Sequence, residues 1–69
     1  MSIFPQRLKE LRIEKELSQN QLAKETGFSQ AAINRWESGL QIPNIEVAIA
    51  FAKFFEVSTD YLLGLEDWY

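Results

Sequence analysis

The stretch from Leu17 to Gly39 leaves this chain few options. Ser18, followed three residues later by Gln21, forms a capping box, which starts a helix by satisfying two backbone N–H groups that have no partner inside it. That helix runs to about Thr26 and buries Leu22 and Ala23; Gly27 ends it, because glycine enters the left-handed region without a steric cost. Ser29 caps a third helix, which runs to Ser38 and stops at Gly39. Two short helices are therefore joined by a turn that holds only Gly27 and Phe28.

The flanks read as helix too. Phe4, Leu8 and Leu11 fall at i, i+4 and i+7, with Ile13 and Leu17 continuing the apolar side, so a first helix is expected from about Pro5 to Glu16. Pro5 is tolerated in its first turn. Residues 40–44 form a loop holding Pro43; Asn44 caps a fourth helix to about Phe55, and Ser58 caps a short fifth that ends at Gly64. No stretch alternates as a strand would. The 69 residues are enough for one domain with one small core, so residues 1–69 are expected to form a single compact all-α domain of five helices. Its stability should be roughly 3 to 10 kcal/mol.

What the chain lacks narrows its chemistry. With no cysteine there is no disulfide and no thiolate metal site, and with no histidine the commonest general base and metal ligand is missing. No carboxylate pair sits in an evident pocket motif. An enzyme is therefore not expected, nor a metal or other cofactor. No apolar run reaches the length of a membrane span, and the start of the chain lacks the layout of a signal peptide, so a cytoplasmic protein without a membrane partner is expected.

The net charge of −3 argues against a nucleic-acid partner when taken whole. Its distribution says otherwise. Residues 1–53 carry all seven basic side chains and six acids, whereas residues 54–69 carry four acids and no base. The acidity is concentrated at the C-terminal end, and a nucleic-acid face on the first two-thirds remains electrostatically possible.

The third helix has the polar face such a role needs. At about 100° per residue, Asn34, Ser38, Ala31 and Arg35 all fall within about 140° of Gln30, while Ala32, Ile33 and Trp36 cluster between about 200° and 300°. One side is core. The other offers amides, a methyl group and a guanidinium, the groups that match adenine, thymine and guanine edges in the major groove of DNA. Two helices about a tight turn, the second with such a face, form the helix-turn-helix layout.

The run Leu17-Ser18-Gln19-Asn20-Gln21-Leu22-Ala23, then Gly27-Phe28-Ser29, then Ile33 and Trp36-Glu37-Ser38-Gly39, resembles the Cro and phage-repressor (XRE-type) helix-turn-helix family. The resemblance extends upstream through Leu8, Leu11 and Arg12. Downstream it continues through Pro43, Ile45, Ala52, Val57-Ser58, Asp60 and Leu62-Leu63-Gly64. It implies a lambda-repressor-like DNA-binding domain with the motif at helices 2 and 3, acting as a small transcriptional regulator, most simply a repressor. Gln19 then matches a position that contacts a phosphate, and Gln30, Ala31 and Arg35 match positions that face base edges. Asn34 lies beside them, Ser29 opens the same helix, and Ser38 and Gln41 match positions that contact the DNA backbone. Arg12 and Glu37 match an ion pair tying the first helix to the third.

Three residues depart from that pattern. Ala31 is short where a long polar side chain is common, so it is expected to read a methyl group. Gln41 replaces a common basic residue, which weakens the grip on phosphate. Glu56 stands where a helix-ending glycine is usual, so the fourth helix is expected to end differently.

A helix-turn-helix protein reads few base pairs alone, and two-fold pairing on a palindromic operator is the usual remedy. On the fourth helix Ile45, Ala48, Ile49, Ala52 and Phe55 supply a core stripe, and Val47, Phe51 and Phe54 a second one that suggests a partner. Phe54, Tyr61, Leu65 and Trp68 are the expected homodimer contacts, with Tyr69, Val47 and Phe51 adjoining. A protein-interaction module with the same fold is the alternative; the acidic total and the extra aromatics favour it, and a protein antagonist is a further possible partner.

Overall fold

The computed structural model describes residues 3–67, which form five α-helices and, within those residues, no strand. The helices are α1 (Phe4–Glu14), α2 (Gln19–Thr26), α3 (Gln30–Ser38), α4 (Ile45–Phe55) and α5 (Thr59–Leu63). None of them is long and apolar enough to cross a membrane.

Each helix after the first starts where a short polar side chain accepts the backbone N–H three residues on. Ser18, Ser29, Asn44 and Ser58 accept from Gln21, Ala32, Val47 and Tyr61 at 2.9–3.0 Å. The capping box is complete, since Gln21 Oε1 also accepts the Ser18 N–H at 2.7 Å. Chain direction changes at one left-handed residue after each helix: Glu16, Gly27, Gly39, Glu56 and Gly64. The expected continuation of α1 to Glu16 is corrected by this device. The Glu16 and Leu17 N–H groups bond back to the Ile13 and Arg12 carbonyls, so α1 ends two residues early. With Glu56 in place of the usual glycine, α4 is expected to end some other way; the residue differs but the left-handed ending is the same. Glu56 takes φ 59° and ψ 43° itself, and its N–H and that of Val57 close on Lys53 and Ala52.

The core gathers Phe4, Leu8 and Leu11 of α1, Leu22 of α2, Ile33 and Trp36 of α3, Phe51, Ala52 and Phe55 of α4, and Leu62 of α5. Phe51 is its hub, with ring centroids of Phe28, Trp36, Phe55 and Phe4 at 5.0, 5.6, 6.3 and 6.4 Å. This reverses part of the expected layout of α4. The buried stripe is Ala48, Phe51, Ala52 and Phe55, whereas Ile45 and Ile49 are 62% and 39% exposed. Both stripes have helical spacing. Ala48, Ala52 and Phe55 belong to the expected core stripe, and Phe51 joins them from the second, its ring removing more apolar surface from water than Ile45 or Ile49 would.

The two chain ends of the described region close on each other. A Cβ on Gly64 would lie 2.3 Å from Ile3 Cγ2, so that glycine is required by space as well as by its φ of +87°. Arg7 donates to the carbonyls of Tyr61 and Glu66 and lies 4.1 Å over the Tyr61 ring. Its ion pair with Asp67 is 3.5 Å long, and Asp67 is almost fully exposed, so the pair adds little.

Glu56 combines a left-handed backbone with a negative charge at a helix C-terminus, and both are unfavourable. Glu56→Gly should stabilise the domain by about 1 kcal/mol, raising its melting temperature by roughly 4–8 °C for a domain of this size. Glu56→Ala, which keeps the backbone strain, should gain less. A glycine variant that melts at or below the wild-type temperature contradicts this account of the α4 terminus.

Candidate nucleic-acid interface

The α2–α3 turn is built from three local choices. Thr26 Oγ1 donates to the Leu22 carbonyl at 2.8 Å, Gly27 takes φ 84°, and Phe28 turns inward against the Trp36 and Phe51 rings. Nothing lies within 4 Å of a Cβ built on Gly27, so its role is conformational. With Phe28 anchored and Ser29 capping, α3 leaves the turn with Ile33 and Trp36 buried and Gln30, Ala31, Asn34, Arg35 and Ser38 exposed.

A polar network fixes α3 against α1 and α2. Arg12 donates from Nε to Glu37 Oε2 at 2.7 Å and from Nη2 to Oε1 at 3.0 Å, and from Nη1 to the Leu17 carbonyl at 2.7 Å. The two side chains are only 12% and 3% exposed. Glu37 Oε1 also accepts from Gln19 Nε2 at 3.1 Å. Gln19 Oε1 then accepts from Gln30 Nε2 at 2.8 Å and from Asn34 Nδ2 at 3.4 Å. The amide of Gln19 is thus oriented by a buried carboxylate on one side and itself orients two side chains of α3 on the other. Gln19 does not cap its own helix; Ser18 does.

The far end of α3 is organised separately. Arg35 Nε donates to Gln41 Oε1 at 2.8 Å, and Ser38 Oγ donates to the Arg35 carbonyl at 3.2 Å. Ser29 is exposed at the near end, with its hydroxyl oxygen accepting the Ala32 N–H. All eight positions singled out in the sequence therefore lie on α3, at its two ends or at the start of α2. One cation was missed. Lys9, exposed on α1, lines a small cleft with Gln19, Asn34, Glu37 and Ser38. No local motif marks it, because its position depends on how α1 packs against α3.

The residues expected at a dimer contact differ in exposure. Phe54 is half-buried, edge-on to Phe55 at 5.0 Å with Lys15 Nζ 5.6 Å from its ring. Tyr61 is half-buried beneath Arg7, and Leu65 is exposed. Of the adjoining residues, Phe51 is wholly buried and Val47 half-buried; Trp68 and Tyr69 lie outside the described residues. Large exposed aliphatic side chains lie elsewhere: Leu40 and Ile42 on the α3–α4 loop, and Ile45 and Ile49, expected in the core, on the outer face of α4.

Comparison with known proteins agrees with this geometry. A family model described as Helix-turn-helix matches residues 8–62. The chain is 44% identical over 64 residues to the HTH-type transcriptional activator BcrR of Enterococcus faecalis, covering 93% of this chain and 31% of that protein. It is 32% identical over 65 residues to the HTH-type transcriptional regulator YobD of Bacillus subtilis (strain 168), covering 94% and 58% respectively. The chain thus spans from under a third to somewhat over half of these relatives' lengths. Among solved structures, the P22 c2 repressor in complex with a synthetic operator is similar at a TM-score of 0.83 and 33% identity, over 91% of this chain and 96% of that one. A transcriptional regulator from Listeria innocua is similar at a TM-score of 0.83 and 30% identity, over 93% and 60%. With the motif at α2–α3, the five-helix architecture and these matches in agreement, the chain belongs to the XRE-type helix-turn-helix family.

Proposed function

We propose that this chain binds double-stranded DNA sequence-specifically, with α3 in the major groove, as the DNA-recognising unit of a transcriptional regulator. The observation that carries this reading is the exposed row of Gln30, Ala31, Asn34 and Arg35 on a helix whose opposite side is locked into the core. Gln30, Ala31 and Arg35 read base edges, and Asn34 reaches a base or a phosphate beside them. Gln19, Ser29, Ser38, Gln41 and Lys9 hold the DNA backbone. Repression by occupancy is the simplest action, since it asks nothing of the domain but to cover a site. The P22 c2 repressor supports that action, whereas BcrR is named an activator.

Selection of duplexes from a randomised pool by the wild-type chain should enrich one motif. Arg35→Ala should relax one position of it at a cost of about 1–3 kcal/mol. Most of the backbone contacts here are neutral amides and hydroxyls, so affinity should fall gently with salt, with a log–log slope of about −2 per monomer. An Arg35→Ala variant that selects the same motif with the same preference contradicts the assignment of α3. A pool that yields no enriched sequence favours the protein-interaction reading.

The working unit we propose is a two-fold dimer. Half-sites lie about 34–36 Å apart, and a domain 28 Å in its longest dimension fills most of that interval. The exposed run of Leu40, Ile42, Ile45 and Ile49 begins right after α3. Beside it is a mostly apolar groove lined by Phe4, Pro5, Gly39, Ile42 and Pro43, with Ser38 and Gln41 at its DNA-facing side. A protruding leucine next to a groove is the self-complementary surface that a two-fold contact needs, which favours a second copy as its occupant. Exposed apolar patches on single domains rarely exceed a few hundred Å², below the ~800 Å² per partner of a standard interface. The dimer should therefore be weak in solution and form on DNA. Ile45→Lys should fold with wild-type stability and bind a half-site normally, but lose the advantage of a palindrome. Loss of that advantage in Leu65→Lys instead places the contact at the C-terminal segment. A wild-type chain that binds half-site and palindrome equally well is not a dimer.

A further inference from the structure

Gln41 sits in the loop after α3, and its side chain turns back to the helix. The Leu40 and Gln41 N–H groups both bond to the Arg35 carbonyl, at 2.9 and 3.3 Å, and the Gln41 side-chain oxygen accepts from Arg35 Nε at 2.8 Å. The loop therefore grips Arg35 by its backbone and by its guanidinium. A guanidinium can meet a guanine through its Nε edge or through its two terminal nitrogens. With Nε held by Gln41, only the terminal pair is presented.

We propose that Gln41 is a positioning residue for base recognition: it orients Arg35 so that the two terminal nitrogens face the groove, and thereby sets the base preference at the position Arg35 reads. This rests on the reading of α3 as the recognition helix and adds a residue that need not touch a base. The hydrogen bond is charge-assisted through its donor, and it holds one rotamer of a long, flexible side chain that otherwise loses that freedom on binding. The amide oxygen of Gln41 serves Arg35, which leaves its amide nitrogen to meet a phosphate, so one side chain links backbone contact to base reading. A residue that only contacts a phosphate has a different signature: its loss weakens every sequence alike.

The test is a double-mutant cycle on duplexes enriched by the wild-type chain, with each of the four base pairs placed in turn at the position that Arg35→Ala relaxes. Gln41→Ala should reduce the preference at that position about tenfold, the loss of one charge-assisted hydrogen bond. In the Arg35→Ala background it should leave the residual preference unchanged. Gln41→Glu keeps the acceptor for Nε but replaces the phosphate-facing amide with a negative charge. It should bind all sequences more weakly and retain the base preference. If Arg35→Ala relaxes a position and Gln41→Ala lowers affinity for all four base pairs equally, Gln41 is a phosphate contact and the proposal is overturned while the reading of α3 stands. If Arg35→Ala relaxes no position, that reading fails and the proposal fails with it.

Discussion

The pair of Arg12 and Glu37 is the interaction on which the rest of the molecule depends. Its two-point geometry ties α1 to α3 at a place where neither side chain reaches much water, and a third guanidinium bond secures the segment leading into α2. An ion pair so placed is weak evidence of stability in itself, because desolvation offsets much of the attraction. Its value here is positional. Glu37 has a fixed place on α3, so whatever holds its carboxylate holds the helix. The same carboxylate orients Gln19, and Gln19 orients Gln30 and Asn34, so the surface proposed to face DNA is arranged by a charge beneath it.

This arrangement accounts for a nucleic-acid face on an acidic chain. Two of the basic residues are used internally: Arg12 by Glu37, and Arg7 by the carbonyls of the C-terminal segment. Arg7 holds that acidic segment at the start of α1 and at α5. On the proposed reading, recognition rests chiefly on oriented neutral amides, for which direction matters more than charge. Amides without their supporting bonds would have to be ordered at the moment of binding, at a cost in side-chain entropy. The core aromatics contribute at one remove, since Phe28 joins the turn to Trp36 and Phe51 and so sets how α3 leaves α2.

Much of the fold was legible because local chemistry set it. Ser18, Ser29, Asn44 and Ser58 mark helix starts by a mechanism confined to four residues, and Gly27, Gly39 and Gly64 mark ends in the same way. The exposed face of α3 was legible from its period. The failures lie where tertiary packing decides. Both apolar stripes of α4 fit a helix, and the buried face takes Ala48, Ala52 and Phe55 from one and Phe51, at the hub of the core, from the other. Glu56 stands where a helix-ending glycine is usual, yet it takes the left-handed conformation itself, and its N–H and that of Val57 close on Lys53 and Ala52. Lys9 and Gln41 owe their surroundings to the packing of α1 and the path of the α3–α4 loop, which no spacing rule encodes.

Equilibrium denaturation of Glu37→Ala, Arg12→Ala and the double variant tests the account most directly. The single loss of Glu37 leaves Arg12 buried without its partner and should cost about 3–5 kcal/mol. That is a large share of the roughly 3–10 kcal/mol available to a domain of this length. The two losses should be strongly non-additive, with the double variant little worse than either single one. Single variants that unfold at the wild-type denaturant concentration, or losses that simply add, would show that α3 is held by its apolar face alone and that the buried charge does not arrange the surface above it.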